Sequence, residues 1–205
     1  MTSVQVLGGK GPRDYIEVPC RIPPEWRVLD IGPGRYPFQR ANVYVDHNPE
    51  MLEGLSGETI LAQFHEGLPQ IQDKSFDLVW CSHVMEHVEN PTECAATLSR
   101  IAHRGMIVVP SAIKESIFNL EEYDHKWLIE RNPRTGAPIF IRHHKATIQR
   151  IRDIDVQKIT CRLYRSGTAM DTNDDQYLRE WFSRTDPYLD IAHYWEGELK
   201  LQVIE

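Results

Sequence analysis

The chain has 205 residues, 41% of them hydrophobic, and a formal charge of −7. That balance fits one globular domain with a full core and excludes a disordered chain. It also argues against a nucleic-acid partner, which needs a basic face. No apolar run is long enough to span a membrane, and residues 1–10 lack the apolar centre of a secretion signal. The cysteines Cys20, Cys81, Cys94 and Cys161 are scattered with no Cys-x-x-Cys pair, so they read as reduced thiols of a cytoplasmic protein.

Residues 1–24 form a polar, glycine-rich lead-in, expected to run as an arm over the first strand. Residues 26–31 and 41–46 read as two strands, each an apolar run ending in a carboxylate. Residues 49–55 can start a helix, with Asn48 as its cap and Pro49 in its first position. Residues 58–63 are a third strand, 67–74 a turn-rich link, and 76–81 a fourth strand, almost wholly apolar as a buried parallel strand is. Asn90 caps a helix whose apolar positions Ala95, Leu98, Ile101 and Ala102 recur at helical spacing. Residues 105–110 are the fifth strand.

Beyond Ser111 the pattern changes. Residues 127–131 and 139–142 read as a hairpin around the turn 132–136. Residues 147–154 are helical, 156–164 a strand, 174–183 an amphipathic helix, and 198–204 alternate as a closing strand. Strands alternating with helices predict an α/β fold: a doubly wound, mostly parallel sheet with right-handed crossovers. The whole reads as one domain over 1–205, with an arm (1–25), a first half (26–111) and a second half (112–205).

The turn Gly32-Pro33-Gly34-Arg35-Tyr36-Pro37 joins the first two acid-terminated strands. A dinucleotide needs bare backbone N–H groups against its pyrophosphate and a third glycine for close helix packing. Here Pro37 holds the third glycine position, and Pro33 and Pro37 lack the N–H altogether. A pyrophosphate is poorly served, which disfavours a nicotinamide oxidoreductase. S-adenosylmethionine carries no phosphate. It asks for close backbone approach, met by Gly32 and Gly34; a carboxylate for the ribose hydroxyls, met by Asp46; and a carboxylate near the amino group, met by Asp30.

Four stretches together resemble a class I S-adenosylmethionine-dependent methyltransferase of the type 11-like group. They are Val28-Leu29-Asp30-Ile31-Gly32-Pro33-Gly34, Val45-Asp46-His47-Asn48-Pro49-Glu50-Met51-Leu52, Leu68-Pro69 ahead of Asp73-Lys74-Ser75-Phe76-Asp77-Leu78-Val79, and Ser82-His83-Val84-Met85-Glu86-His87-Val88-Glu89-Asn90-Pro91. The resemblance spans Val28 to Ser111. It implies a seven-stranded Rossmann-like sheet with its last strand antiparallel, a hairpin and an extra helix after strand five, and a cofactor lying across the carboxyl ends of the first strands. It also implies that His47 and Ser82 lie beside the cofactor, with Gln63 and Phe64 at the adenine. Two departures stand out. Asp46 follows Asp30 by only 16 positions, so the first crossover helix is short or partly unwound, and the third family glycine is missing.

His83-Val84-Met85-Glu86-His87 also fits a His-x-x-Glu-His zinc pattern. That chemistry needs a long helix, but the segment follows directly on a buried strand and Asn90–Pro91 resets the chain soon after. A metal-dependent hydrolase on His83, Glu86 and His87 is therefore one rival reading, and a non-catalytic cofactor-binding domain is another. In the methyltransferase reading no metal is expected, and His83 and His87 line the reaction cleft, with His83 as a catalytic candidate.

Acceptor-side candidates follow strand five: Glu115, Tyr123, Asp124, Lys126 and Trp127, with His125 as a general base because its ordinary pKa lies in the working range. The expected partner is a small-molecule acceptor, with a sugar or glycan precursor as the working choice. The aromatic residues Trp181, Phe182, Tyr188, Tyr194 and Trp195 fit core packing, a roof to the cleft, or a homodimer face.

Overall fold

The computed structural model describes residues 5–6, 16–118, 124–143 and 189–205. In chain order its strands are β1 (Gln5–Val6), β2 (Glu17–Val18), β3 (Val28–Ile31), β4 (Val43–Asp46), β5 (Glu58–Leu61), β6 (Leu78–Ser82), β7 (Arg104–Pro110), β8 (Trp127–Arg131), β9 (Pro138–Arg142), β10 (Asp190–Glu196) and β11 (Gln202–Ile204). Two α-helices flank β7: α1 (Pro91–Ile101) before it and α2 (Ala112–Phe118) after it. The expected elements at 147–154, 156–164 and 174–183 lie outside the described residues.

The main sheet runs β10-β7-β6-β3-β4-β5. Its strands are parallel except β10, which pairs antiparallel with β7. The chain starts in the middle at β3, builds outward to β5, and then crosses back to β6 on the other side of β3. The Rossmann-like, doubly wound architecture is therefore present, with six strands of this sheet among the described residues. Residues 198–204 do not close it, contrary to the sequence reading. β10 takes that place, and β11 pairs parallel with β9 in a small sheet beside the β8–β9 hairpin.

Alternating side chains sort the core into two layers. Leu29, Ile31, Val79, Cys81, Ile107 and Val109 pack with Cys94, Ala95, Leu98 and Ile101 of α1 and with Trp127 and Phe140 of the hairpin. Val28, Leu78, Trp80, Met106 and Val108 face the other way, onto Ile16, Val18 and Ile22 of the arm and onto Phe38. Burial on both faces explains why β3, β6 and β7 read as unbroken apolar runs.

Between β3 and β4 no helix forms at all: residues 32–42 are turns and bends. Pro33 and Pro37 remove the donors a helix would need. Phe38 from this bend stacks on Trp80, centroids 4.2 Å apart. Asn48 does cap the following turn, accepting the Glu50 N–H at 3.0 Å. The turn is only a 3-10 helix at Pro49–Met51, with no buried residue to extend it against the core. The hairpin turn forms as expected, with Asn132 Oδ1 accepting the N–H groups of Arg134 and Thr135.

Candidate functional site

The reversal of strand order between β3 and β6 opens a crevice beyond their carboxyl ends. A cavity of about 590 Å3 lies there. Gly32 and Gly34 form one side, with Asp46 and His47 at the end of β4. Ala62, Gln63, Phe64 and His65 close it beyond β5. The segment after β6 contributes His83, Val84, His87, Val88 and Glu89, and the approach to β8 adds Asp124 and Lys126.

Local geometry explains the glycine bend. Gly32 has φ +66°, and a Cβ there would lie 2.5 Å from Val84 Cγ2, so the backbone passes directly under the cleft wall. Its N–H is already given to Val45 O at 2.8 Å. Tyr36 N–H goes to Pro33 O, and Phe38 N–H to Asp30 Oδ2 at 2.8 Å. With the two prolines lacking an N–H, residues 32–38 keep only the amides of Gly34 and Arg35 unengaged in the described structure. That is a poor cradle for a diphosphate and an adequate wall for a ligand without phosphate.

The cofactor-side candidates separate into two groups. Gly32, Gly34, Asp46, His47, Gln63 and Phe64 all converge on the cavity. Asp46 is 7% exposed and accepts the Asn48 N–H at 2.9 Å, which fixes its carboxylate. Asp30 and Ser82 do not reach the cavity. Strand alternation puts them on the arm-facing side with Val28 and Trp80. Asp30 is buried there, pinning the bend through Phe38, and Ser82 Oγ is buried without a hydrogen bond.

The acceptor-side candidates divide likewise. Asp124 lines the cavity. Trp127 does not: it is fully buried, donates Nε1–H to Val88 O at 2.7 Å and packs edge-on to Phe140, so it anchors the hairpin. Glu115 and His125 sit behind the cavity wall as a buried pair, Oε1 to Nδ1 at 2.5 Å. Tyr123 lies outside the described residues. Lys126 lines the cavity with Asp124, and Glu89, Val84 and Val88 join them there without any chemical signal in the sequence to mark them.

His83 lies in a chain of charges with no counterpart in local sequence. Lys114 Nζ meets Asp190 Oδ1 at 2.8 Å, Asp190 Oδ2 meets His83 Nε2 at 3.3 Å, and His83 Nδ1 meets Glu86 Oε1 at 3.2 Å. Burial pushes the imidazole down, but the two carboxylates outweigh it and carry its pKa up to about 9. His83 is therefore a cation at neutral pH and cannot serve as the general base. His87 shifts the other way: burial, with the charge of His125, lowers its pKa. His83 and Asp124 both hold left-handed backbone, φ 55° and 59°, and both line the cavity, where such strain persists because packing over-determines it.

The rival hydrolase needs His83 and His87 side by side on a helix. Residues 83–88 form turns, not a helix, and both His83 ring nitrogens are engaged by carboxylates.

The raised pKa makes a stability prediction. A group charged more readily in the folded state contributes fully below its unfolded pKa of 6.5, and that contribution is lost as pH rises through about 9. Urea denaturation of the wild type is expected to show declining stability across that window. His83→Asn, which tolerates left-handed backbone, flattens the decline; equal slopes in both proteins contradict the ion-pair assignment.

Residues 29–109 match the family described as "Methyltransferase domain". No curated protein matches the chain. Among solved structures, a Thermotoga maritima methyltransferase described as a "possible histamine N-methyltransferase" is 20% identical over 50% of this chain and 52% of its own, with TM-score 0.40. This chain thus spans about half of that protein's length. An S-adenosylmethionine-dependent methyltransferase of Mesorhizobium loti is 14% identical over 82% and 89%, TM-score 0.42. A Haloferax volcanii methyltransferase, solved in complex with the Trm112 methyltransferase activator, is 15% identical over 84% and 83%, TM-score 0.47. No helix among the described residues is long and apolar enough to cross a membrane.

Proposed function

We propose that the chain is a class I S-adenosylmethionine-dependent methyltransferase, as the match of residues 29–109 to the methyltransferase-domain family supports, and that it transfers the sulfonium methyl group to an oxygen or nitrogen of a small polar acceptor. The observation that carries this reading is the convergence of Asp46 and the donor-poor Gly32–Gly34 bend on one cavity. In it, Asp46 takes the ribose hydroxyls, Gln63 and Phe64 flank the adenine, and the methionine portion passes along Gly32 and Gly34. The methyl group then points toward His83, His87, Asp124 and Lys126.

Methyl transfer is an in-line displacement, so the protein has to align the acceptor atom with the methyl group and exclude water. The acceptor end is rich in hydrogen-bonding groups, and a hydroxyl-bearing, sugar-like acceptor suits it. The His83 cation lies where the sulfonium loses its charge. Its part in this reading is to hold the cleft wall in place through Asp190 and Glu86.

Calorimetry of the purified chain with S-adenosylhomocysteine tests the reading. Binding at micromolar Kd is expected. No heat and no competition at millimolar ligand would contradict it, and binding without turnover over a panel of sugars and other metabolites would favour a non-catalytic domain.

A further inference from the structure

We propose that His87 is the general base at the acceptor end of the cleft, its Nε2 taking the proton from a hydroxyl acceptor as that oxygen is methylated. This inference rests on the methyltransferase reading above and narrows the acceptor atom to a hydroxyl oxygen. His87 lines the cavity in the segment after β6. Its Nδ1 lies 3.3 Å from the Asp124 carbonyl oxygen. A carbonyl only accepts, so this contact places the ring proton on Nδ1 and leaves the lone pair of the neutral imidazole on Nε2. Nε2 has no hydrogen-bond partner among the described residues. Asp124 holds left-handed backbone, φ 59°, in the turn that presents its carbonyl. His125 steadies the ring from another side, edge to face with centroids 4.6 Å apart.

The other groups on this side are unsuited to the task. His83 is a cation with both ring nitrogens engaged by carboxylates. Glu89 pairs with Lys126 and with Arg142, each at 2.8 Å. Their hydrogen bonds hold its carboxyl down to about 2, too weak a base for an alcohol. His125 is buried behind the wall and does not line the cavity. His87 joins access to the cavity with a neutral ring. Burial lowers its pKa, and the charge of His125 adds to that lowering; together they outweigh the upward pull of Glu86 and of Asp124.

In the transfer, the acceptor oxygen bonds to the methyl carbon while the carbon–sulfur bond breaks and its electron pair stays on sulfur. The hydroxyl proton passes to His87 Nε2 and is later returned to solvent. The imidazolium charge appears as the sulfonium charge is lost, so the net charge of the closed site does not change.

Long-range 1H–15N NMR of the full chain reads the tautomer without any acceptor, the His87 signals being identified by their loss in His87→Gln. A proton on Nδ1 and a titration midpoint below 6.5 are expected. A proton on Nε2, or a midpoint above 6.5, overturns the proposal. Radiolabelled methyl transfer from S-adenosylmethionine to a panel of free sugars adds the kinetic reading. On the sugar that reacts fastest, His87→Gln is expected to lower kcat by about a hundred- to ten-thousandfold and to remove the acid limb of the pH profile. S-adenosylhomocysteine affinity, measured on the same samples, is expected to stay unchanged and reports folding. His103→Gln, at an exposed site outside the cleft, leaves rate, profile and affinity unaltered. A wild-type rate in His87→Gln, or an acid limb that survives the change, overturns the base. Where no sugar reacts, the tautomer and midpoint decide. A wild-type chain that binds no S-adenosylhomocysteine defeats the methyltransferase reading and this proposal with it; one that binds it and shows the other tautomer defeats the proposal alone.

Discussion

Asp46→Ala is expected to weaken S-adenosylhomocysteine binding by ten- to a hundredfold or more while the protein stays folded. A hydrogen bond to a charged carboxylate contributes about 1.5–3 kcal/mol, and a ribose offers two hydroxyls to one. The carboxylate is already oriented, held by the Asn48 N–H at 2.9 Å at the end of β4, so little ordering opposes binding. Asp46→Asn keeps an acceptor oxygen and is expected to lose less. Asp30→Asn is the informative contrast. Asp30 accepts the buried Phe38 N–H and does not line the cavity, so its loss appears in thermal stability before it appears in affinity. Isothermal titration of the three variants checks this, and equal losses for Asp30 and Asp46 would contradict the separation of roles.

Gly32→Ala is expected to destabilise the fold by about 2–5 kcal/mol and to damage cofactor binding with it. Two costs combine. A non-glycine residue at φ +66° costs about 1–2 kcal/mol. The added Cβ would lie 2.5 Å from Val84 Cγ2, and overpacking of this kind costs about 1–3 kcal/mol. Val84 is β-branched and stiff at χ1, so its methyl does not swing aside freely. For a chain of this size each kcal/mol lowers Tm by roughly 2–4 °C. The double variant Gly32→Ala, Val84→Ala removes the collision and keeps the backbone strain. Partial recovery of Tm relative to the single Gly32→Ala change is the expected result, and no coupling between the two positions would show that they do not touch.

The centre of the sheet was legible because β3, β4 and β6 are buried on both faces and the chain is punctuated around them: Gly32 after β3, Asn48 after β4, Asn90 and Pro91 before α1. The same double burial hid which face each acid serves. Asp30 and Asp46 look alike in sequence, each closing an apolar run, but Asp30 shares strand parity with Val28 and turns to the arm, whereas Asp46 reaches the cavity. Alternation identified 198–204 as extended, yet it carries no information on partner, and β11 joined the hairpin while β10 closed the sheet. His83 could be placed at the cleft from the motif around it. Its partner Asp190 is 107 residues away, beyond any local spacing rule, and with Glu86 it turns a cleft-lining catalytic candidate into a fixed cation. Trp127 reads equally as a binding aromatic or an anchor until its Nε1 contact with Val88 decides for the anchor.

The most direct test of the cofactor grip is a crystal structure of the chain with S-adenosylhomocysteine. The account predicts both ribose hydroxyls at hydrogen-bonding distance from the Asp46 carboxylate, with the homocysteine portion against Gly32 and Gly34. A ribose seated elsewhere, or a ligand that leaves the Gly32–Gly34 bend bare, would contradict it.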